Sequence, residues 1–305
     1  MSLVSHTGEN TSLFRRWAAF IEKPWKQKKQ SFGFRYLRWV PYAFLPIRLP
    51  IDAWWFAEND FIGLALLWDG FENAEYELAK KIVQPGMTVL DIGAHKGFYT
   101  LLLSRRVGAE GRVLAFEPSR RERARLKVHV RGNSCHNVSI FDFALGQNED
   151  EGTLFVVRGP ETGLNSLRPQ GEGVRSNGEK VRIRSLDAVL SEAAVSQVDF
   201  VKIDVEGAEL SVFSGANRLL TATPRPLILA EVSDVRTKQW GYEAKNILSA
   251  LESLGFTWMA VRPAGMLAPA DTRQNFYDAN FLAVPEERMD ALREWVLAPH
   301  KERQA

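Results

Sequence analysis

Val89 to Thr100 reads VLDIGAHKGFYT: a short apolar run, an acid, a glycine-bearing turn, then the start of a helical segment. Strand, turn and helix in that order bring backbone N–H groups close to a ligand. The glycines free the turn, and the first helical turn leaves donors unpaired. The spacing Gly93-x-x-x-Gly97 lacks the G-x-G-x-x-G pattern that carries a backbone to a pyrophosphate. Asp91, directly before the turn, would repel phosphate and suits a ligand with a cationic amino group. Twenty residues beyond Gly97, Glu117 stands in LAFEP at the end of the second β-like run, where a carboxylate can accept both hydroxyls of a ribose. As an ordered pair, Asp91 and Glu117 favour an adenosyl ligand without a diphosphate over two merely solvated strand-end acids.

Working outward, short β-rich runs alternate with helical stretches from about residue 86, as a parallel sheet with crossover helices requires. Strands are expected at Thr88 to Ile92, Arg112 to Phe116, Val138 to Phe143, Val198 to Ile203 and Leu227 to Val232. Helices are expected at Tyr99 to Val107, Arg120 to Gly132, Leu186 to Ala194, Leu210 to Leu220 and Ala244 to Leu254. Leu154 to Ile183, rich in Gly, Pro, Ser and Asn, breaks the rhythm and reads as an inserted hairpin or loop near the site. Thr257 to Val261 and Asn280 to Val284 suggest an antiparallel edge. The fold class is therefore α/β, a Rossmann-like, mostly parallel sheet with an antiparallel edge and an N-terminal helical, aromatic extension. Residues 1–69 are expected to form that cap or acceptor-binding module, and 70–305 the catalytic domain. The charged tail from Glu286 reads as helical.

Composition narrows the class. An apolar share of 45% and a charged share of 25% are those of an ordinary folded chain. Cys135 stands alone, which forbids an internal disulfide or a cysteine-based zinc cluster. Arg15, Arg16, Lys23 and Lys26 interrupt every candidate signal sequence, and prolines, Arg48 and Asp52 interrupt the apolar region Trp39 to Trp55, so the cytoplasm is the expected compartment. The net charge of +2 hides an asymmetry: residues 1–50 hold nine Lys and Arg against two Asp and Glu, the remainder 30 against 35. Six of nine tryptophans, Trp17, Trp25, Trp39, Trp54, Trp55 and Trp68, lie in the first 68 residues. Such rings beside cations suit a sugar, a membrane interface or a lipid-linked glycan, while a buried cap or homodimer arm is an equal alternative. Nucleic-acid signatures are absent.

The blocks VLDIGAHKGFYT, LAFEP, FDFALG, SLDAVL and VDFVKIDVEGAELSVFSGA together resemble the FkbM family of methyltransferases, over about Gly70 to Val284. The resemblance implies a class I methyltransferase fold, S-adenosyl-L-methionine as donor, and O-methylation of a hydroxyl on a sugar, glycan or glycosylated natural product. By motif, Asp91, Gly93 and Gly97 would form the donor loop, Glu117 would hold the ribose, and Asp142, Phe143 and Ala144 would border the adenine. His95 stands where relatives of the fold often carry glycine, and in this family usually Asn. Loop shaping is favoured for it over proton transfer.

Ligands of open α/β sheets bind beyond the carboxyl ends of the strands. There Val198 to Ile203 delivers Asp204 and Glu206, with Lys202 on the same face by alternation, and the next strand delivers Glu231. A hydroxyl is a poor nucleophile until a base takes its proton, so Asp204 or Glu206 is the expected base and Glu231 the residue that positions the acceptor. Glu209 reads as a partner for donors at a helix start. No metal ligand is assigned, although three acids at one edge leave Mg²⁺ as an alternative cofactor. A non-catalytic adenosylmethionine- or glycan-binding protein of the same fold is the competing function, disfavoured by the intact acidic cluster. A nicotinamide-dependent oxidoreductase is disfavoured by the glycine spacing.

Overall fold

The computed structural model describes residues 45–68, 71–171 and 173–296. Its centre is one eight-stranded sheet, whose strands are numbered in chain order. They are β1 (Thr88–Ile92), β2 (Arg112–Phe116), β3 (Val138–Phe141), β4 (Phe200–Ile203), β5 (Leu227–Ser233), β6 (Phe256–Arg262), β7 (Met266–Pro269) and β8 (Asp278–Pro285). In space the order is β7-β6-β8-β5-β4-β1-β2-β3. Strands β1 to β5 run parallel. Strand β8 is antiparallel to β5 and to β6, and β6 is antiparallel to β7. This is the Rossmann-like sheet with an antiparallel edge that the sequence implied. The order reverses between β1 and β4, the switch point where such sheets open a crevice.

Helices on both faces bury the parallel strands twice over, which is why they read as nearly continuous apolar runs. Val89, Leu101, Leu102 and Phe200 pack on one face; Leu90, Ile92, Val201, Ile203 and Leu248 pack on the other. In the helix Lys245–Glu252, Ile247, Leu248 and Leu251 supply the buried stripe, at the spacing an amphipathic helix needs.

Three elements depart from expectation for visible reasons. The run Val138 to Phe143 splits: Phe141 ends β3, and Ala144–Leu145 pairs instead with Ser176–Arg184 in a separate three-stranded sheet that also holds Asp150–Val157. Leu210 to Leu220 is two helices, Glu209–Ser214 and Asn217–Thr221. Gly215 sits so close to Gly146 that a Cβ would lie 2.0 Å from its carbonyl oxygen. The second helix restarts there with its Arg218 and Leu219 N–H groups donating to Asp187. The tail is two 3₁₀ segments, Glu286–Arg288 and Asp290–Trp295, rather than a regular helix.

Of the expected N-terminal module, residues 1–44, with Trp17, Trp25 and Trp39, lie outside the described residues. The described chain starts with a β-hairpin, Leu45–Leu49 with Ala53–Ala57, and continues into a helix, Phe61–Trp68. The hairpin alternates, so that Ile47, Leu49, Ala53, Trp55 and Ala57 join the same core as β1 and the helix Phe98–Val107. Trp54 on its other face is half exposed. Backbone N–H groups of Trp54 and Phe56 donate to Asn133 Oδ1 at 2.6 Å and His129 Nε2 at 3.0 Å. His129 in turn donates from Nδ1 to the Lys96 carbonyl at 2.7 Å, so one neutral ring ties the hairpin to the loop after β1. No helix among the described residues is long and apolar enough to cross a membrane.

Candidate active site

The loop after β1 is shaped by what it must avoid. Gly93 has φ +83°, and a Cβ there would sit 1.8 Å from the backbone oxygen of Asp204, so only glycine lets the ends of β1 and β4 meet. Gly97, at φ +95°, leads into the helix Phe98–Val107, and a Cβ on it would strike Leu126 at 2.5 Å. His95 between them also adopts φ +49°. Its N–H donates to Glu117 Oε2 at 2.8 Å, while Ser119 N–H donates to Glu117 Oε1 at 2.7 Å. Glu117 is thus fixed at the end of β2. Burial first, then the nearby Glu122 carboxylate, pushes it up to about 8 against the pull of those two N–H groups. Asp91 is also buried and accepts the Thr100 hydroxyl; desolvation raises it to about 6.

Two cavities with shared lining residues lie over this loop. A slot of about 70 Å³ is bordered by Glu117, Phe143 and Ala144 and roofed by Asn165, Ser166 and Leu167 of the inserted segment. A larger cavity of about 540 Å³ has an apolar wall that includes Trp55, Phe61, Phe71 and Phe98. Facing it is a charged wall of Glu72, Asp91, Lys202, Asp204, Glu206, Glu231 and Arg236. Gly93, His95, Asp204 and Glu206 border both spaces. Asp142, expected beside Phe143 and Ala144, is not brought to either. The chain leaves the sheet at this point, and its carboxylate lies outside the cavities, 2.8 Å from Arg182. The His95 imidazole stands 3.7 Å from the buried Glu122 carboxylate, and burial lowers its pKa despite that acid.

At the far end of the large cavity, carboxylate oxygens of Asp204, Glu206 and Glu231 come within 4.8 Å of one another. Two protein cations already stand among them. Arg236 Nε lies 2.9 Å from Glu206 and 4.0 Å from Glu231, and Lys202 Nζ lies 3.5 Å from Asp204. The donor set is therefore internally compensated, and Mg²⁺ finds no support in it. Burial raises Glu206 well above the ordinary carboxylate range, and raises Glu231 to about 10, with Asp204 adding to both. Asp204 keeps the most solvent-accessible side chain of the three. Glu206 has φ +55°, and its carbonyl accepts from Ser166 Oγ at 3.0 Å and Trp240 Nε1 at 3.1 Å. Glu209 turns back to accept the N–H groups of Val205 at 3.0 Å and Gly207 at 3.4 Å.

Sequence reasoning gave no role to Glu72, Tyr99 or Arg236, and none to Lys202 beyond its face. Tyr99 hydroxyl donates to Glu72 Oε2 at 2.6 Å, and Glu72 reaches the cavity from outside every motif block. Only Lys202 carried a signal, a charged residue in the middle of an apolar strand.

Relatives of known kind match this chain. The chain is 28% identical over 240 residues to the AMB antimetabolite synthetase AmbE of Pseudomonas aeruginosa, which covers 68% of this chain but only 11% of that much longer protein. It is 26% identical over 207 residues to the 2-O-methyltransferase NoeI of Sinorhizobium fredii, covering 62% of this chain and 80% of NoeI. A crystal structure of the methyltransferase FkbM from Methylobacillus flagellatus superposes with a TM-score of 0.41 at 17% identity, over 73% of this chain and 52% of that one. The model of the methyltransferase FkbM domain matches residues 91–257, more than half of the sequence. The chain belongs to the FkbM family of methyltransferases.

Proposed function

We propose that the protein is an S-adenosyl-L-methionine-dependent O-methyltransferase acting on a hydroxyl of a sugar, glycan or glycosylated natural product. The observation that carries this reading is the shared border of the two cavities at Gly93, His95, Asp204 and Glu206, where a slot beside Glu117, Phe143 and Ala144 meets a carboxylate-lined chamber. The residues fit the donor. Glu117 offers its remaining acceptor capacity to ribose hydroxyls, Phe143 and Ala144 offer an apolar border to the base, and buried Asp91 offers charge to an ammonium. When bound, the donor supplies an electrophilic methyl group on a sulfonium. NoeI, by its name a 2-O-methyltransferase, supports oxygen as the acceptor atom.

Asp204 is the base in this reading, because Glu206 is held by Arg236 and Glu231 is driven toward its protonated form by burial. As the acceptor oxygen gains its methyl group, its proton passes to Asp204, and the protonated Glu231 can donate to the acceptor and orient it. Asp204→Asn should lower kcat by about 10²–10⁴ on whichever methyl glycoside is turned over, at near-constant affinity for S-adenosylhomocysteine. Wild-type kcat in Asp204→Asn would remove it as the base, and loss in Glu206→Gln alone would move the role there.

A further inference from the structure

Lys202 is fully buried in the middle of β4, in register with Asp91 on β1 and Leu229 on β5. An apolar side chain would fill that place without the several kcal/mol of desolvation that a buried ammonium costs. Its Nζ lies 3.1 Å from Asn280 Oδ1 on β8 and 3.5 Å from Asp204 Oδ2, with the Tyr99 ring centroid at 5.2 Å. Burial alone would lower its pKa; Asp204, Glu72, Glu231 and Asp91 overcome that and raise it, so the charge is retained. The proposed reaction gives this cation no role.

We propose that Lys202 is a positioning residue acting through Asp204: anchored by Asn280, its ammonium aims the Asp204 carboxylate into the cavity. The proposal rests on the reading of Asp204 as base. Asn280 is well placed for the task, since its carbonyl oxygen holds the ammonium from the antiparallel edge without adding charge. The other groups around Asp204 act against it or elsewhere. Glu206 on its own segment, Glu231 on β5, Asp91 on β1 and Glu72 before the helix Asn73–Ile82 bring no positive charge to aim it, and Arg236 is engaged with Glu206. Lys202 is thus the cation in ionic contact with Asp204 among the described residues.

The test needs no acceptor. In full-length protein labelled with ¹³C at aspartate carboxyls and saturated with S-adenosylhomocysteine, the resonance absent from Asp204→Asn identifies Asp204, and its position is read at one fixed pH. In folded Lys202→Met that resonance should be displaced, because the carboxylate loses the ammonium 3.5 Å away, and Lys202→Arg should return it toward its wild-type position. An undisplaced resonance in Lys202→Met overturns the proposal. If Lys202→Met does not fold, Asn280→Ala, which leaves every charge in place, carries the test: a displaced resonance supports the anchoring and an undisplaced one overturns it. The base assignment is read separately, from kcat of Asp204→Asn, so either idea can fail without the other.

Discussion

Glu117 and Asp91 are buried acids whose value lies in what they hold. Each should weaken S-adenosylhomocysteine binding by about 1–3 kcal/mol when replaced by Ala, the scale of lost charge-assisted hydrogen bonds, as calorimetry would show. Glu117 also sets a pH dependence. Burial lifts it to about 8, so below that pH the empty site carries its proton, and the ionised form to which the proposed function gives the ribose hydroxyls grows as pH rises. Donor affinity should therefore climb from pH 6 to pH 8 in wild type, and the Glu117 share of that climb should vanish in Glu117→Gln. An unchanged slope in the variant would take the ribose away from Glu117. These two positions were legible because strand, acid and glycine turn are local in the chain. Glu72 and Arg236 were not, since only the fold carries them to β4. At Asp142 sequence proximity and placement part: its neighbours in sequence line the slot, but the chain turns there and carries its carboxylate onto Arg182.

Among the elements, β3 at the sheet's edge, only half-buried, was read two residues too long, whereas the central parallel strands were readable because burial on both faces leaves a run of apolar residues, as in RVLAF of β2. The hairpin Leu45–Leu49 with Ala53–Ala57 was not, because its alternating face is crowded with aromatic and basic residues that suit a cap equally well. It is held by polar contacts that no sequence pattern announces. His129 is one: burial lowers it to about 4, below its ordinary 6.5, so the fold keeps it neutral. The unfolded chain binds that proton first, so the stability contributed by neutral His129 is present above pH 6.5 and is lost as pH falls from 6.5 to 4, by up to about 3 kcal/mol. Urea unfolding across that window should show the loss in wild type and less of it in His129→Gln; equal pH dependence would contradict it. Lys96 is the other. Its buried ammonium contacts both Glu58 and Asp60, and Asp60 also accepts from Thr162 Oγ1 at 3.0 Å, which joins hairpin, donor loop and insert. Lys96→Met, which leaves the buried Asp60 without a cation while Glu58 keeps Arg125, should destabilise by about 3–5 kcal/mol in urea unfolding.

Taken whole, the molecule places an aromatic wall from its N-terminal hairpin and helices opposite an acidic wall from the sheet edge, with the donor loop between them. Truncation should respect that packing. Removal of residues 1–44 should leave affinity for S-adenosylhomocysteine within about threefold. Removal through residue 57 should abolish folding, because it strips Trp55 and its neighbours from the core. A folded, donor-binding protein lacking the hairpin would show that residues 45–57 are dispensable to the catalytic body. The central claim is transfer of a methyl group to oxygen, and it is tested most directly by the product itself. Wild-type protein incubated with methyl-¹³C-labelled S-adenosylmethionine and a panel of methyl glycosides should yield an O–¹³CH₃ resonance in a carbon–proton correlation spectrum, strongly diminished with Asp204→Asn. A label that appears instead on nitrogen or carbon, or an O-methyl product formed equally well by Asp204→Asn, would contradict the account.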